Sequence, residues 1–171
     1  LSSASEMSAR LAESVCRNNE YAARQLAMIV QGRFVTIGEE LLRTTADAEL
    51  QLACLKNDRA AIEQILNLRE QASTGGRVKN LFVLNPSGVI VATSEQSGRE
   101  LKQAFSGRDY FRQALAKSNA RGLGRIHVSR VFKSENDDLD KLAVSVAFRP
   151  KTGSEPWVLV ATVTTDAPFL L

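Results

Sequence analysis

At Leu84-Asn85-Pro86-Ser87-Gly88-Val89-Ile90-Val91-Ala92-Thr93-Ser94 this chain of 171 residues turns from a helical text into a sheet text. Proline pre-sets a turn and glycine releases the chain from it, and the flanking runs, Val78 to Leu84 and Val89 to Thr93, are β-rich, so the stretch predicts a β-hairpin. Just upstream, Gly75-Gly76 marks the change of hydrophobic period from 3.6 to 2.

Downstream, a turn region from Glu95 to Leu101 leads to Ser106, which is expected to cap a helix whose third residue is Asp109. Phe105 and Tyr110 stand at the positions of a hydrophobic staple across its start. The helix runs through Phe111, Ala114 and Leu115, and Gly122 and Gly124 release it. Three strands are expected next, at Ile126–Phe132, Leu142–Phe148 and Trp157–Thr164, joined by the polar connections Lys133–Asp140 and Arg149–Pro156. Two strands, a helix and three strands describe a five-stranded antiparallel sheet, hence α+β and not parallel α/β.

Upstream, the first 74 residues hold no proline and only Gly32 and Gly38, and are rich in Ala, Leu, Glu and Arg, which predicts helix. Glu6, Glu13 and Glu20 recur every seven residues, each followed four residues later by Arg10, Arg17 or Arg24, the favourable orientation for i,i+4 pairs. On the opposite face Ser8, Val15, Ala22 and Ile29 repeat by seven with Leu11 and Leu26 beside them, interrupted by Asn18 and Gln25. This thin seam reads either as a weak coiled coil or as a helix laid on a partner surface. Continued to Arg43, the helix would be about 60 Å long. A break near Thr44-Thr45-Ala46-Asp47 starts a second helix, and Asp58 caps a third with Ile62, Ile65 and Leu66 on its face.

The composition, 44% hydrophobic and 24% charged, is that of a soluble globular chain, and no run reaches the roughly 18 apolar residues a membrane span requires. Leu1 and Leu170-Leu171 as ends lead us to expect a piece of a longer protein. Residues 1–75 carry 8 Lys/Arg against 10 Asp/Glu, and residues 76–171 carry 14 against 9, a basic balance that either attracts anions or reflects scattered surface arginines. Nucleic acid is set aside: no basic run is interleaved with stacking aromatics. One histidine, His127, and two distant cysteines, Cys16 and Cys54, do not furnish a structural zinc site. A chain reversal near Thr45 separates those cysteines by about 30 Å, too far to bridge, so both are expected as free thiols. Neither a phosphate loop, a nucleophile elbow nor a metalloprotease pair occurs. A serine site built on His127 with Ser129 or Ser145 is a weak alternative. We expect no enzyme and no cofactor in this chain.

The stretch Phe105-Ser106-Gly107-Arg108-Asp109-Tyr110-Phe111-Arg112-Gln113-Ala114-Leu115, taken with the hairpin at 84–94, resembles the extracytoplasmic Cache sensor domains, which have PAS-like folds. The resemblance covers roughly residues 78–166; the long first helix agrees in architecture only. It implies a PAS-like five-stranded sheet over 75–171. Residues 1–74 would be a membrane-proximal dimerisation region, with homodimerisation through the first helix. It also implies an extracytoplasmic sensor of a transmembrane receptor whose output is a kinase, a cyclase or a chemotaxis coil.

In similar domains the pocket lies between the sheet and the R-D-Y-F helix. By position, Arg108 would offer a planar fork to an anion, Tyr110 a ring face and hydroxyl, Phe111 an apolar wall, and Arg130 and Phe132 would come from the facing strand. The amino-acid-binding branch keeps an aromatic–x–aspartate pair after the third strand; those places fall at Phe132 and Ser134. A small carboxylate or other anion is therefore the expected ligand. Asp166 falls where some relatives keep an acidic residue. The other readings are a ligand-free dimerisation or interaction domain, with Phe111, Phe132, Phe148 and Trp157 filling the interior, and a cytoplasmic PAS-type domain holding a cofactor or nucleotide.

Overall fold

The computed structural model describes residues 2–73, 80–94, 103–135 and 137–165. The Gly75-Gly76 release, the start of the first strand at Val78, the turn at Glu95 to Leu101 and the acidic exit at Asp166 lie outside these residues.

Helix α1 runs Ser2–Thr45, 44 residues or about 66 Å. Two of the heptad-spaced pairs close on its surface, Arg17 to Glu13 at 3.1 Å and Arg24 to Glu20 at 2.6 Å. The helix ends where Thr44 and Thr45 turn their hydroxyls back onto the carbonyls of Glu40 and Leu42, competing with continuation of the helix. Asp47 then caps α2 (Ala48–Leu55), accepting from the Glu49 N–H, and Asp58 caps α3 (Arg59–Ala72), accepting from the Ala61 N–H. Arg69 of α3 reaches back to Asp47 at 2.5 Å, which ties the two short helices together.

The sheet is antiparallel, with β1 (Leu81–Leu84), β2 (Ile90–Thr93), β3 (Ile126–Val128), β4 (Phe132–Lys133), β5 (Asp140–Phe148) and β6 (Trp157–Thr164) in the spatial order β2-β1-β6-β5-β3, and β4 beside β5. The expected hairpin is β1–β2: Asn85 Oδ1 accepts from the N–H groups of Ser87 and Val89, and Gly88 takes φ +77°. Where one strand was expected over 126–132, two short ones stand, so the sheet has six strands among the described residues. At the break, the Ala143 N–H donates to the Ser129 hydroxyl (2.9 Å) and the Arg130 N–H donates to Asp109 (3.2 Å), so side chains replace the ladder partners.

Strand alternation fills both sheet faces. Leu81, Val83, Val144, Val146, Phe148, Leu159, Ala161 and Val163 meet Phe34, Ile37 and Leu41 of α1, Leu50 and Cys54 of α2, and Ile62 and Leu66 of α3. The alternate residues Phe82, Leu84, Ala143, Ala147, Val158 and Val160 meet Phe105 and the helix α4 (Asp109–Ala116). Each fully buried aliphatic side chain contributes about 1.5–3 kcal/mol. This α+β, PAS-like arrangement therefore has helices over both faces, with the carboxy-terminal part of α1 in the larger core. The amino-terminal two-thirds of α1 is exposed, Leu11, Val15, Leu26 and Ile29 included. Gly38 lets α1 approach β3, since a Cβ there would stand 2.5 Å from the Ile126 side chain. Cys16 is an exposed free thiol; Cys54 is a buried one, and burial pushes its pKa up to about 12.

Candidate functional site

The segment before α4 is fixed by the hairpin. The Phe105 N–H donates to the Gly88 carbonyl at 2.7 Å, and Val89 and Ala104 form an isolated bridge. A Cβ on Gly88 would lie 2.7 Å from the Ser106 backbone, so glycine is needed both for its positive φ and for this approach. Ser106 does not cap the helix as expected. The chain turns once more, with the Arg108 N–H donating to the Phe105 carbonyl, and Arg108 becomes the extended residue that opens α4 at Asp109, with no side-chain cap.

Asp109 uses its carboxylate otherwise. Its Oδ2 stands 3.1 Å from His127 Nε2 and accepts from the Arg130 N–H, which binds the first turn of α4 to β3 and to the break after it. Burial raises this carboxyl, but the His127 and Arg130 hydrogen bonds and the charges of both side chains outweigh that and hold it below the usual carboxylate range. The buried Ser145 hydroxyl donates to the Tyr110 carbonyl at 2.7 Å, adding a tie from β5 to the same turn.

Between this turn and the sheet lies a crevice of about 20 Å³, walled by Phe82, Phe105, Arg108, Tyr110, Phe132 and Thr162, with Lys133, Ser134, Glu135 and Lys141 at its rim and floor. Room of that size holds about one water molecule. The Arg108 guanidinium stands 5.8 Å from the ring centre of Phe105 and 5.9 Å from that of Phe132, a cation between two aromatic rings. Tyr110 packs edge-on to Phe82 and tilted to Phe132, with centroids 5.9 and 5.5 Å apart.

Both principal cations are engaged by carboxylates of the β4–β5 connection. Arg108 pairs with Glu135. Lys141, only 4% exposed at its side chain, pairs with Asp137 at 2.7 Å. Burial raises the Asp137 carboxyl, yet hydrogen bonds from Lys141, Ser134 and the Leu139 N–H, with the Lys141 charge, bring it below the usual range.

Of the five residues expected at the pocket, Arg108, Tyr110 and Phe132 come together on the crevice. Phe111 is buried in the apolar cluster between α4 and the sheet and does not line it. Arg130 is exposed beyond it and contributes its backbone N–H to Asp109. Lys141 and Thr162 escaped the sequence reading. A signal existed for the lysine: Lys141, Ala143, Ser145 and Ala147 alternate along β5, and the small residues after the lysine leave room for α4 above them. Among the described residues no group of three or more His, Cys, Asp or Glu side chains is placed to hold a metal ion.

No family model and no curated protein matches this sequence. Solved structures do match, at low identity. The sensor domain of the Vibrio cholerae histidine kinase DctB has a TM-score of 0.65 at 11% identity, over 90% of this chain and 57% of that one. An extracellular ligand-binding receptor from Desulfohalobium retbaense has a TM-score of 0.60 at 15% identity, over 85% of this chain and 26% of its own. The Escherichia coli DcuS sensor domain has a TM-score of 0.55 at 16% identity, over 80% and 92%. The chain thus spans about a quarter of the receptor and somewhat over half of the DctB domain. The likeness is one of fold, and that fold is the one found in sensor domains of histidine kinases. Among the described residues, no helix is long and apolar enough to cross a membrane.

Proposed function

We propose that this chain is the extracytoplasmic sensing domain of a transmembrane receptor, non-catalytic itself, and that it binds a small carboxylate or another small anion beside Arg108. The observation that carries this reading is the guanidinium lining the crevice within reach of both the Phe105 and Phe132 rings and already engaging a carboxylate. A planar fork so oriented is suited to a carboxylate. The fold shared with the DctB and DcuS sensor domains supports the sensing role. In this reading residues 75–171 form the sensor sheet and its ligand site, and residues 1–74 the membrane-proximal and dimerising region, whose α1 end, α2 and α3 also pack into the core on one face of that sheet. Homodimerisation runs through the exposed seam of α1. A ligand biases the arrangement of the paired helices by its differential affinity for two states. The output of the parent receptor is a kinase, a cyclase or a chemotaxis coil.

A second reading rests on the small volume of the crevice: an interaction or dimerisation domain whose interior is filled by its own side chains. Thermal melting against a panel of small anionic metabolites separates the two. A ligand at 100 times its dissociation constant adds about 2.7 kcal/mol, several degrees in Tm for a domain of this size. A shift with one or more anions supports the sensor; a flat response across the panel supports the interaction domain.

A further inference from the structure

Resting on the anion-site reading above, we infer that Glu135 is a resident competitor for that site: its carboxylate occupies the Arg108 guanidinium when no ligand is bound, and the ligand enters by exchanging with it. The two ion pairs at the crevice differ in a way that assigns these roles. Lys141 is buried on β5, with its side chain 4% exposed, and Asp137 is held both by it and by the Leu139 N–H. Withdrawing Asp137 would leave an uncompensated buried ammonium, a strongly destabilised arrangement. Glu135 is 58% exposed and Arg108 32%, so their pair sits at the solvent edge. A carboxylate there rehydrates readily when it leaves, and the pair itself is weak.

The charge balance follows from the same geometry. With Asp137 on Lys141, and Lys133 facing Asp138 at 3.5 Å on the surface, displacement of Glu135 leaves Arg108 as the one cation among the described residues of the crevice without a carboxylate. A single incoming carboxylate restores neutrality. The volume points the same way: about 20 Å³ does not admit an organic anion beside Arg108 until the Glu135 side chain has moved. Apparent affinity is then the intrinsic affinity reduced by the fraction of molecules with Glu135 off Arg108. The site is thereby tuned to respond at higher ligand concentration than its contacts alone would set.

The test is isothermal titration of wild type, Glu135→Gln and Glu155→Gln with acetate, lactate, pyruvate and succinate. Glu135→Gln keeps the size of the side chain and removes its charge; Glu155→Gln removes an equal charge from the exposed β5–β6 connection, away from the crevice. The expected result is binding of at least one probe by wild type, about three- to fivefold tighter binding by Glu135→Gln, and no change in Glu155→Gln. Equal affinities in wild type and Glu135→Gln overturn the exchange while leaving the anion site standing. Equal gains in both variants also overturn it, since they report only a general change of field. Binding of no probe by any of the three proteins overturns the anion-site reading itself, and the exchange with it.

Discussion

His127 Nε2 stands 3.1 Å from Asp109 Oδ2, so one carboxylate joins the first turn of α4 to β3, and through the Arg130 N–H to the break in the strand that follows. Asp109 is thus a fastener for the helix that carries Arg108 and Tyr110. Its carboxyl titrates below the usual range in the folded protein, because the hydrogen bonds and charges outweigh the burial that raises it. A depressed carboxyl contributes stability above its unfolded pKa of about 4, and that contribution is lost as the pH falls through the lower folded value. Melting of wild type should therefore decline below about pH 4. Asp109→Asn should lower Tm at neutral pH and show a shallower acid decline. Parallel pH profiles for the two proteins would deny Asp109 this role.

Gly38 sets how closely α1 lies on the sheet. Gly38→Leu places atoms where Ile126 already is, and overpacking of that kind costs about 1–3 kcal/mol, although leucine is the better helix former by about 1. Chemical denaturation should show a net loss of stability. Pairing it with Ile126→Ala should recover part of that loss, and additive effects of the two substitutions would mean that they do not meet.

Along the outer part of α1 the apolar residues Leu11, Val15, Leu26 and Ile29 are exposed, on a helix whose glutamate–arginine pairs occupy another face. If that seam is the dimer interface, Leu11→Asp or Val15→Asp should move the sedimentation coefficient toward that of a monomer, with Tm nearly unchanged because neither side chain packs in the monomer core. Unaltered sedimentation would remove the seam from the account.

The two thiols should behave oppositely. Cys16 is exposed and should react with a maleimide at once, whereas Cys54, with its pKa pushed up to about 12 by burial, should react only on unfolding. Intact mass of the unreduced protein should show both as free. A fast second equivalent under native conditions would mean that α2 opens readily from the core.

Much of this architecture is legible in the sequence, because the relevant signals are local. Asp58 caps a helix where a short acidic side chain precedes apolar periodicity, the break at Thr44-Thr45-Ala46-Asp47 falls between two helices, and Asn85-Pro86-Ser87-Gly88 makes the turn its residues demand. The split of the third strand was hidden, since Ser129 and Arg130 continue the β pattern and only a hydroxyl from the same strand and a carboxylate 21 residues away divert the ladder. The start of α4 failed for a similar reason. Ser106 is a good capping residue, but the Phe105 N–H is bound to Gly88, and this tether turns the chain before the helix begins. At the site, Arg108, Tyr110 and Phe132 were legible by position within the resemblance. Lys141 was marked only by the small residues that alternate after it, and Glu135 and Asp137 were not legible, because their roles depend on the β4–β5 connection folding back over a crevice made by other elements.

Truncating Arg108 separates an anion held by its guanidinium from one bound anywhere else. The anion that most raises the Tm of wild type should be titrated calorimetrically into wild type and Arg108→Ala. Loss of a charge-assisted pair predicts binding weaker by at least about tenfold, from the roughly 1.5–3 kcal/mol such a bond contributes. The unliganded Tm should be nearly unchanged, since the pair Arg108 makes with Glu135 lies at the surface. Undiminished affinity in Arg108→Ala would place the anion elsewhere and remove Arg108 from the binding site.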